Sequence, residues 1–189
     1  MPAKSTRASD IVYQLKITLR DSKPPIWRRV LVPGNYNLHK LHWVVQMAMG
    51  WTDSHLHQFI IDGLYYGVPD QDDWEEVHDE RRFTLRQVAP GEKGKFVYEY
   101  DFGDDWLHEI VVEQLLPPES GVKYPLCVKG KRACPPEDVG GMWGYATFLE
   151  AIRNPKHEEH DSYVEWIGRE FDSEEFELDE INQALRQIR

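Results

Sequence analysis

The stretch KFVYEYDFGDDWLHEIVVEQLL, residues 95–116, decides the fold class of this 189-residue chain. Apolar and polar residues alternate through residues 95–102 and again through residues 106–116, which is the period of a half-buried strand. Gly103, Asp104 and Asp105 between the two runs are residues typical of a tight turn. The stretch therefore predicts an antiparallel hairpin, the clearest one in the sequence.

Two more hairpins are predicted on the N-terminal side of this one. Residues 11–20 and 26–32 also alternate, and the Asp-Ser-Lys-Pro-Pro sequence between them supplies turn residues. Residues 56–68 return to strand character around the tight-turn dipeptide Asp62-Gly63. Three strand pairs therefore precede residue 117.

The hydrophobic period changes between the first two hairpins. Apolar residues recur at three- and four-residue steps from Leu38 to Met49. Asn37 is placed as an N-cap, and Gly50 is placed as a stop. This pattern predicts one amphipathic helix in the N-terminal half of the chain.

The rest of the chain is interpreted as irregular and then helical. Residues 70–82 are rich in acids and are expected to form an exposed connector, and residues 117–144 are rich in Pro and Gly. Helical spacing follows at residues 145–153, 158–170 and 178–188. Strands first and helices later predict an α+β fold with a mostly antiparallel sheet and a helical C-terminal third.

Composition is that of a folded soluble protein, with 41% hydrophobic and 29% charged residues. We expect one domain over residues 1–189, with residues 1–10 as a flexible N-terminus. There is no secretory signal and no apolar run of membrane length, so we expect a cytoplasmic protein without a membrane partner. The net charge is -11, with bases early and acids late. Either the two ends pack together, or Arg28, Arg29 and Lys40 present a basic face to an anionic partner.

Three histidines lie near the predicted helix and the strand after it. His42 flanks the apolar face of the helix, and His55 and His57 are two residues apart, so they are expected to share one face of a strand. Their side chains could converge on a metal ion. The alternative is that they are partly buried polar residues with hydrogen bonds to the backbone or to carboxylates.

The turn of the clearest hairpin gathers acidic residues and one histidine. Asp101, Asp104, Asp105 and His108 lie within nine residues, close enough for a carboxylate to orient an imidazole or for both to hold a divalent ion. Asp and Gly are also the ordinary residues of tight turns, where the carboxylate accepts hydrogen bonds from its own backbone. Both interpretations stay open at this point.

The two cysteines, Cys127 and Cys134, bracket a basic, Gly-containing loop. A reducing compartment favours thiol or metal chemistry over a permanent disulfide. Thiolates are strong zinc ligands, but the spacer is longer than that of a zinc knuckle, and histidines would have to complete the set. The alternative is two inert cysteines.

The sequence PPEDVGGMWGY at residues 135–145 forces a defined irregular backbone through its prolines and glycines. Trp143 and Tyr145 either anchor this segment on the sheet or form the rim of a binding cleft. The glycine spacing matches neither a phosphate-binding loop nor a dinucleotide-binding fingerprint, so nucleotide binding has little support.

Four motifs spread over nearly the whole chain carry a family resemblance. They are PIWRR at 25–29, QMAMGW at 46–51 with HLH at 55–57, YDFGD at 100–104 with Trp106 and His108, and CPPEDVGG at 134–141 ending at Gly144 and Tyr145. On these motifs the chain resembles the plasmid pRiA4b ORF-3-like proteins, which also occur as passenger proteins of insertion elements. The resemblance implies a roll-like α+β domain that forms one unit, and it implies no established activity.

Two functions are compatible with these residues on different grounds. The first is a binding or regulatory module built on surface-shaping residues, with the candidates Trp27, Arg28, Arg29, Trp143 and Tyr145. The second is a metal-dependent hydrolase or nuclease, in which zinc or another divalent metal activates water, with the candidates His42, His55, His57, Asp101, Asp104 and His108.

A third function, nucleic-acid binding, is motivated by the mobile-element relatives and by a basic and aromatic surface. Its candidate residues are Trp27, Arg28, Arg29 and Lys40. The negative net charge opposes it, although a local basic groove can exist on an acidic protein. Some insertion-element relatives carry a resolvase-style name, but no residue set resembles a serine or tyrosine recombinase site. The partner is expected to be an unknown protein or a nucleic acid.

Overall fold

Eight strands form one sheet in the order β5-β4-β3-β6-β7-β1-β2-β8 in the computed structural model, which describes residues 11–70 and 76–188. The expected flexible segment 1–10 lies outside the described residues. Neighbouring strands are antiparallel except β4 and β5. The strands are β1 Val12–Leu19, β2 Trp27–Pro33, β3 His57–Ile61, β4 Leu64–Gly67, β5 Val77–Asp79, β6 Lys95–Tyr100, β7 Trp106–Leu116 and β8 Leu126–Lys131.

Five α-helices accompany the sheet within the described part of the chain. They are α1 Leu38–Met49, α2 Leu85–Val88, α3 Gly141–Arg153, α4 His160–Ile167 and α5 Leu178–Leu185. A short 3₁₀ turn, Glu80–Arg82, follows β5. The α+β class, the mostly antiparallel sheet and the helical C-terminal third are thus confirmed, although α3 begins at Gly141, before the predicted start at residue 145.

The three predicted hairpins and the first helix are present. In the clearest hairpin Tyr100 pairs with Trp106 across the turn. The Asn37 side chain accepts a hydrogen bond from the N–H of Lys40 at 2.9 Å, and Gly50 ends α1 in the left-handed conformation with φ 86°. Both ends of α1 therefore form for the local reasons that the sequence contains.

Two segments that were expected to be irregular are structured. Strand β8 lies inside residues 117–144 and pairs with β2 at the sheet edge. It is held from the other side by Asn182 of α5, whose side chain bonds both the N–H and the C=O of Cys127, at 2.8 and 3.0 Å. Long-range pairing therefore decides this strand, and its own alternation is too weak to predict it.

The prediction of an exposed connector at residues 70–82 is wrong for the last residues of that segment. Its end forms β5 and the 3₁₀ turn, and the carboxylate of Glu80 is fully buried. Acid-rich composition normally indicates solvent exposure. Here tertiary pairing with histidines overrides that rule for Glu80.

The core lies where α1 covers the sheet. Alternate residues of the central strands are buried, and so are the apolar residues of α1. The hydroxyl of Tyr98 on β6 lies 2.8 Å from His42 Nδ1 and 2.9 Å from Gln46 Nε2, so α1 lies directly over β6. This packing carries polar groups of α1 and β6 into the interior together.

Arg28 ties this core to the sheet edge. Its side chain is only 3% exposed; Nε donates to the carbonyl of Ala48 at 2.9 Å, and Nη1 donates to the carbonyls of Trp27 and Lys131, each at 3.0 Å. A buried guanidinium must satisfy its donors in this way. Arg28 therefore holds α1, β2 and β8 together, which corrects the expectation that it faces a partner.

No helix in the described ranges has both the length and the apolar character required to cross a lipid bilayer.

Gly144→Ala should destabilise the protein by about 3 kcal/mol, because overpacking against rigid backbone is costly. A Cβ at this position of α3 would lie 1.8 Å from the carbonyl oxygen of Val139, a backbone atom that cannot move independently. Urea denaturation measures the change. Gly91→Ala is the matched control, because no atom of the described residues, apart from its chain neighbours, lies within 4 Å of the added Cβ. Equal stability of the two variants would contradict this account of the glycine.

Candidate metal centre

Three segments that are distant in sequence meet at one end of the sheet. They are the helix–strand loop (residues 50–56), the hairpin turn (residues 101–105) and the proline segment (residues 134–140). The N–H of Gly140 donates to Asp104 Oδ2 at 3.1 Å, which joins the last two. Three of the four sequence motifs therefore occupy one place in space.

The carboxylate of Glu137 joins the proline segment to the helix–strand loop. It accepts hydrogen bonds from the N–H of Thr52 at 3.2 Å and from the Thr52 hydroxyl at 2.6 Å. The hydroxyl of Tyr100 donates to its other oxygen. Burial and this carboxylate raise the pKa of Tyr100, so the phenol stays protonated and remains a donor.

We call His42, Asp53 and His57 the inner triad. One ligand atom from each lies within 4.8 Å of the other two. His42 projects from α1 and His57 begins β3, and their rings stack with centroids 3.5 Å apart and planes inclined by 12°. Asp53 lies in the helix–strand loop with φ 57°, a left-handed conformation that Asp tolerates better than most residues.

Within the inner triad, His42 Nε2 lies 3.1 Å from Asp53 Oδ1. This contact lacks hydrogen-bond geometry, and the buried Nε2 has no hydrogen-bond partner within residues 11–70 and 76–188. Burial, followed by the charges of His57 and His39, lowers the pKa of His42 to about 2, so the ring is neutral near pH 7. Burial also raises the pKa of Asp53. The close approach is therefore not an ordinary ion pair.

A buried carboxylate supports the inner triad from behind. Glu80 Oε2 lies 2.9 Å from His57 Nε2, and Oε1 lies 2.7 Å from His39 Nδ1. Trp43 Nε1 donates to His39 Nε2 at 3.3 Å, so His39 carries its hydrogen on Nδ1 and donates it to Glu80. Burial raises the pKa of Glu80, but the hydrogen bonds and charges of His57 and His39 outweigh it and bring the pKa below its ordinary value.

The remaining ring nitrogen of His42 is also held. Its Nδ1 lies 2.8 Å from the Tyr98 hydroxyl, which also accepts a hydrogen bond from Gln46 Nε2. Histidines that bind metals usually have their other ring nitrogen fixed by such a partner. Both histidines of the inner triad are therefore oriented by a second layer of side chains.

We call His55, Asp101 and Asp138 the outer triad, whose ligand atoms also lie within 4.8 Å of one another. His55 Nε2 lies 2.9 Å from Asp138 Oδ1 and 3.6 Å from Asp101 Oδ2. Each residue comes from a different one of the three segments. The Asp138 side chain is 65% exposed, so this triad is open to solvent and the inner one is largely closed.

The comparisons with known proteins agree with the motifs. The family model described as "Plasmid pRiA4b ORF-3-like protein" matches residues 11–180. The chain belongs to this family. It is 41% identical over 176 residues to the uncharacterized protein y4hQ of Sinorhizobium fredii, covering 92% of this chain and 90% of that protein.

The fold of this ORF-3-like protein is shared with a solved structure. A crystal structure of a protein of unknown function, MM3350 from Methanosarcina mazei Go1, superposes with a TM-score of 0.82 at 38% identity. The alignment covers 90% of this chain and 96% of that chain. The family assignment is therefore supported by sequence and by fold alike, and these relatives carry no assigned activity.

The structure separates the six predicted metal or catalytic residues. His42 and His57 join the inner triad, and His55 and Asp101 join the outer one. The expectation that His55 and His57 share a strand face is wrong, because β3 begins at His57 and the pleat does not extend back to His55. The two side chains therefore serve different triads.

The other two predicted residues belong to neither triad. Asp104 accepts the N–H of Gly140 and so fixes the proline segment. His108 is fully buried on β7, with Nδ1 3.4 Å from the carbonyl of Tyr98. Burial lowers the pKa of His108 to about 4. These residues support the fold around the site.

Sequence reasoning missed Asp53, Glu80 and Asp138. Asp53 and Asp138 lie inside or beside the motifs that carry the family resemblance, within WTDSHLH and PPEDVGG, so position in a motif was a usable signal. Glu80 lies in an acid-rich stretch with no motif. Only its position between His39 and His57 reveals its role.

The cysteines lie outside both triads. The Cys127 thiol lies 3.7 Å from the Lys129 carbonyl, and the Cys134 sulfur lies 3.3 Å from Met49 Sδ. Burial raises the pKa of both thiols, that of Cys134 to about 11. Two protonated thiols in these environments do not favour metal binding, and their zinc site stays a prediction.

The basic and aromatic candidates do not form one free cationic face. Arg29 makes a two-pronged ion pair with Glu113, at 2.6 and 2.8 Å. The Trp27 ring lies 5.3 Å from the Arg29 guanidinium and 5.3 Å from Lys16 Nζ. Lys40 lies on α1 over Tyr36. Since Arg28 is also buried, the surface offers a nucleic acid fewer cations than the sequence suggested.

Trp143 and Tyr145 have opposite environments. Trp143 is 89% exposed and lines a cavity of about 400 Å³ whose other walls include Ile26, Met142 and Arg153. Tyr145 is buried, with its ring 6.4 Å from that of Phe148. Trp143 is therefore the member of this pair that a partner can reach.

The stability of the protein should fall as pH decreases from 6.5 to 5, partly because of His108. Its pKa is about 4 when folded and near 6.5 when unfolded, so only the unfolded chain takes up the proton in this window. The expected loss from this residue is about 2 kcal/mol. Urea denaturation at several pH values measures it, and His108→Gln should show a shallower pH dependence. An unchanged slope in that variant would contradict the assignment.

Proposed function

We propose that this protein is a divalent-metal-binding module whose ion is held by the inner triad, through His42 Nε2, Asp53 Oδ1 and one ring nitrogen of His57. One observation carries the proposal. His42 Nε2 and Asp53 Oδ1 are 3.1 Å apart without hydrogen-bond geometry, and Nε2 is buried without another hydrogen-bond partner in the described part of the chain. A lone pair on a neutral imidazole facing a carboxylate oxygen is repulsive unless a cation or a proton lies between them.

The separation of His42 Nε2 and Asp53 Oδ1 suits a metal ion. Ligands at about 2.0–2.2 Å from an ion, separated by tetrahedral or octahedral angles, lie about 2.8–3.6 Å from each other. The His42–Asp53 distance falls within that range. The support of His57 by Glu80 and of His42 by Tyr98 is the second layer that metal-binding histidines require.

The ligand types favour a transition metal over Mg²⁺ or Ca²⁺. Two imidazoles and one carboxylate are typical of zinc and of non-haem iron sites, whereas the harder cations prefer oxygen alone. If the protein is a binding or regulatory module, the metal ion is the ligand that this module binds. The uncharacterised relatives are compatible with such a module.

The metal content should depend on His42 and His57. Protein purified without an affinity tag, stripped with a chelator and dialysed against Zn²⁺ should contain one equivalent less in His42→Gln or His57→Gln than in the wild type. Elemental analysis measures this, and circular dichroism checks that the variants fold. His157→Gln, at a surface position outside the triads, is the matched control. Retention of all metal in His42→Gln, with loss in Cys127→Ser, would place zinc at the cysteines and contradict the proposal.

A second candidate function is hydrolysis by a metal-bound water. The observation that favours it is that the triad supplies only three ligands and the Asp53 side chain is 30% exposed, which leaves coordination positions that water can reach. A metal with three protein ligands and an open position is typical of catalytic zinc sites.

Hydrolysis can be tested separately from binding. Bis(p-nitrophenyl) phosphate should be cleaved by Zn²⁺- or Mn²⁺-loaded wild type, and His42→Gln should reduce the rate at least about 100-fold. His157→Gln should retain the wild-type rate. No release of p-nitrophenolate above the metal-only background would exclude this phosphodiesterase activity and would leave metal binding intact.

A further inference from the structure

We propose that the outer triad is a second divalent-cation site, and that the ion bound there fastens the proline segment, and with it α3, to the sheet. This site uses His55, Asp101 and Asp138. It shares no ligand with the inner triad, so it stands or falls independently of the function proposed above.

The donor atoms of the outer triad converge without bonding each other. His55 Nε2 lies 2.9 Å from Asp138 Oδ1 and 3.6 Å from Asp101 Oδ2. Nε2 is inaccessible to solvent, and neither contact has hydrogen-bond geometry. Both separations fit ligands arranged around one ion at about 2.0–2.2 Å.

The two oxygens of Asp101 have divided roles. Oδ1 accepts the N–H groups of Gly103 at 3.0 Å and Asp104 at 3.4 Å, which fixes the hairpin turn. Oδ2 faces His55. The turn therefore holds the carboxylate rigidly while one of its oxygens stays available, as a preorganised ligand requires.

Asp101 and Asp138 both occupy the left-handed region, with φ 57° and 62°. Such residues are held in place by their surroundings at some conformational cost. Asp138 is mostly exposed, so water can complete the coordination sphere. One nitrogen and two carboxylates form a harder donor set than the inner triad, which suits Mn²⁺ as well as Zn²⁺.

An ion here would cross-link three segments. His55 belongs to the helix–strand loop, Asp101 to the hairpin turn, and Asp138 to the proline segment that leads into α3. Existing ties between these segments include the hydrogen bonds of Glu137 and Asp104. A cation that binds only the folded arrangement stabilises it in proportion to the logarithm of its concentration over its dissociation constant.

The alternative occupant of the outer triad is a proton. A protonated His55 between two carboxylates would also bring the three residues together and would need no metal. The two cases differ in their response to metal ions. The proton alone predicts a melting temperature that is independent of Mn²⁺.

The test compares Asp138→Asn with Asp105→Asn. Asn tolerates the left-handed backbone at either position, and Asp105 is an exposed residue of the same turn outside the triad. Full-length, chelator-stripped protein is titrated with Mn²⁺, with bound metal measured by equilibrium dialysis and stability by thermal denaturation. The wild type and Asp105→Asn should bind one ion more than Asp138→Asn. Asp138→Asn should bind the ion of the outer triad at least about tenfold more weakly than the wild type does. It should also lose the rise in melting temperature that this ion produces.

His42→Gln separates the two metal proposals. If the outer triad binds an ion, His42→Gln keeps that ion and Asp138→Asn loses it. This result is expected whether or not the inner triad of the wild type binds a metal. Equal Mn²⁺ binding by Asp138→Asn and the wild type would overturn the second site. So would a melting temperature that does not change with Mn²⁺, because a protonated His55 then accounts for the geometry.

Discussion

The buried carboxylate of Glu80 is the constraint around which the site is arranged. An ionised carboxylate without solvent is costly unless charge-assisted hydrogen bonds compensate it, and here His39 and His57 provide them. These contacts connect α1, the start of β3 and the 3₁₀ turn after β5. Because His57 is fixed in this way, its ring stacks on His42 and the inner triad takes its shape.

The helix–strand loop links this interior network to the surface. Asp53 and His55 are two residues apart, yet the first belongs to the inner triad and the second to the outer. The loop can divide them because hydrogen bonds fix three of its residues. Trp51 is bonded to Pro135, Thr52 to Glu137 and Ser54 to Tyr100. The proline segment is thus a structural partner of the site, and Gly141, the first residue of α3, allows the helix to begin against the carbonyl of Asp104 in the hairpin turn.

Local sequence signals and the structure agree where short-range physics dominates. The hairpin of residues 95–116, the Asn37 cap and the Gly50 stop follow from alternation, turn residues and capping chemistry. Strand β8 and the buried position of Glu80 could not be predicted from local signals. The strand depends on pairing with β2, and the position of Glu80 depends on two histidines from remote elements. Arg28 likewise has the sequence context of a surface cation, but in the structure it is buried and donates a hydrogen bond to the carbonyl of Ala48.

The sequence by itself determined the α+β class, the main strands and helices, the family and the residue types that could bind a metal. Only the tertiary structure decided which of these residues meet. It divided the predicted histidines and aspartates between two triads, added Asp53, Glu80 and Asp138, and left Asp104 and His108 to support the fold. The physical reason is that side-chain convergence depends on the packing of α1 over β6 and on loop conformations. Periodicity along the chain describes neither.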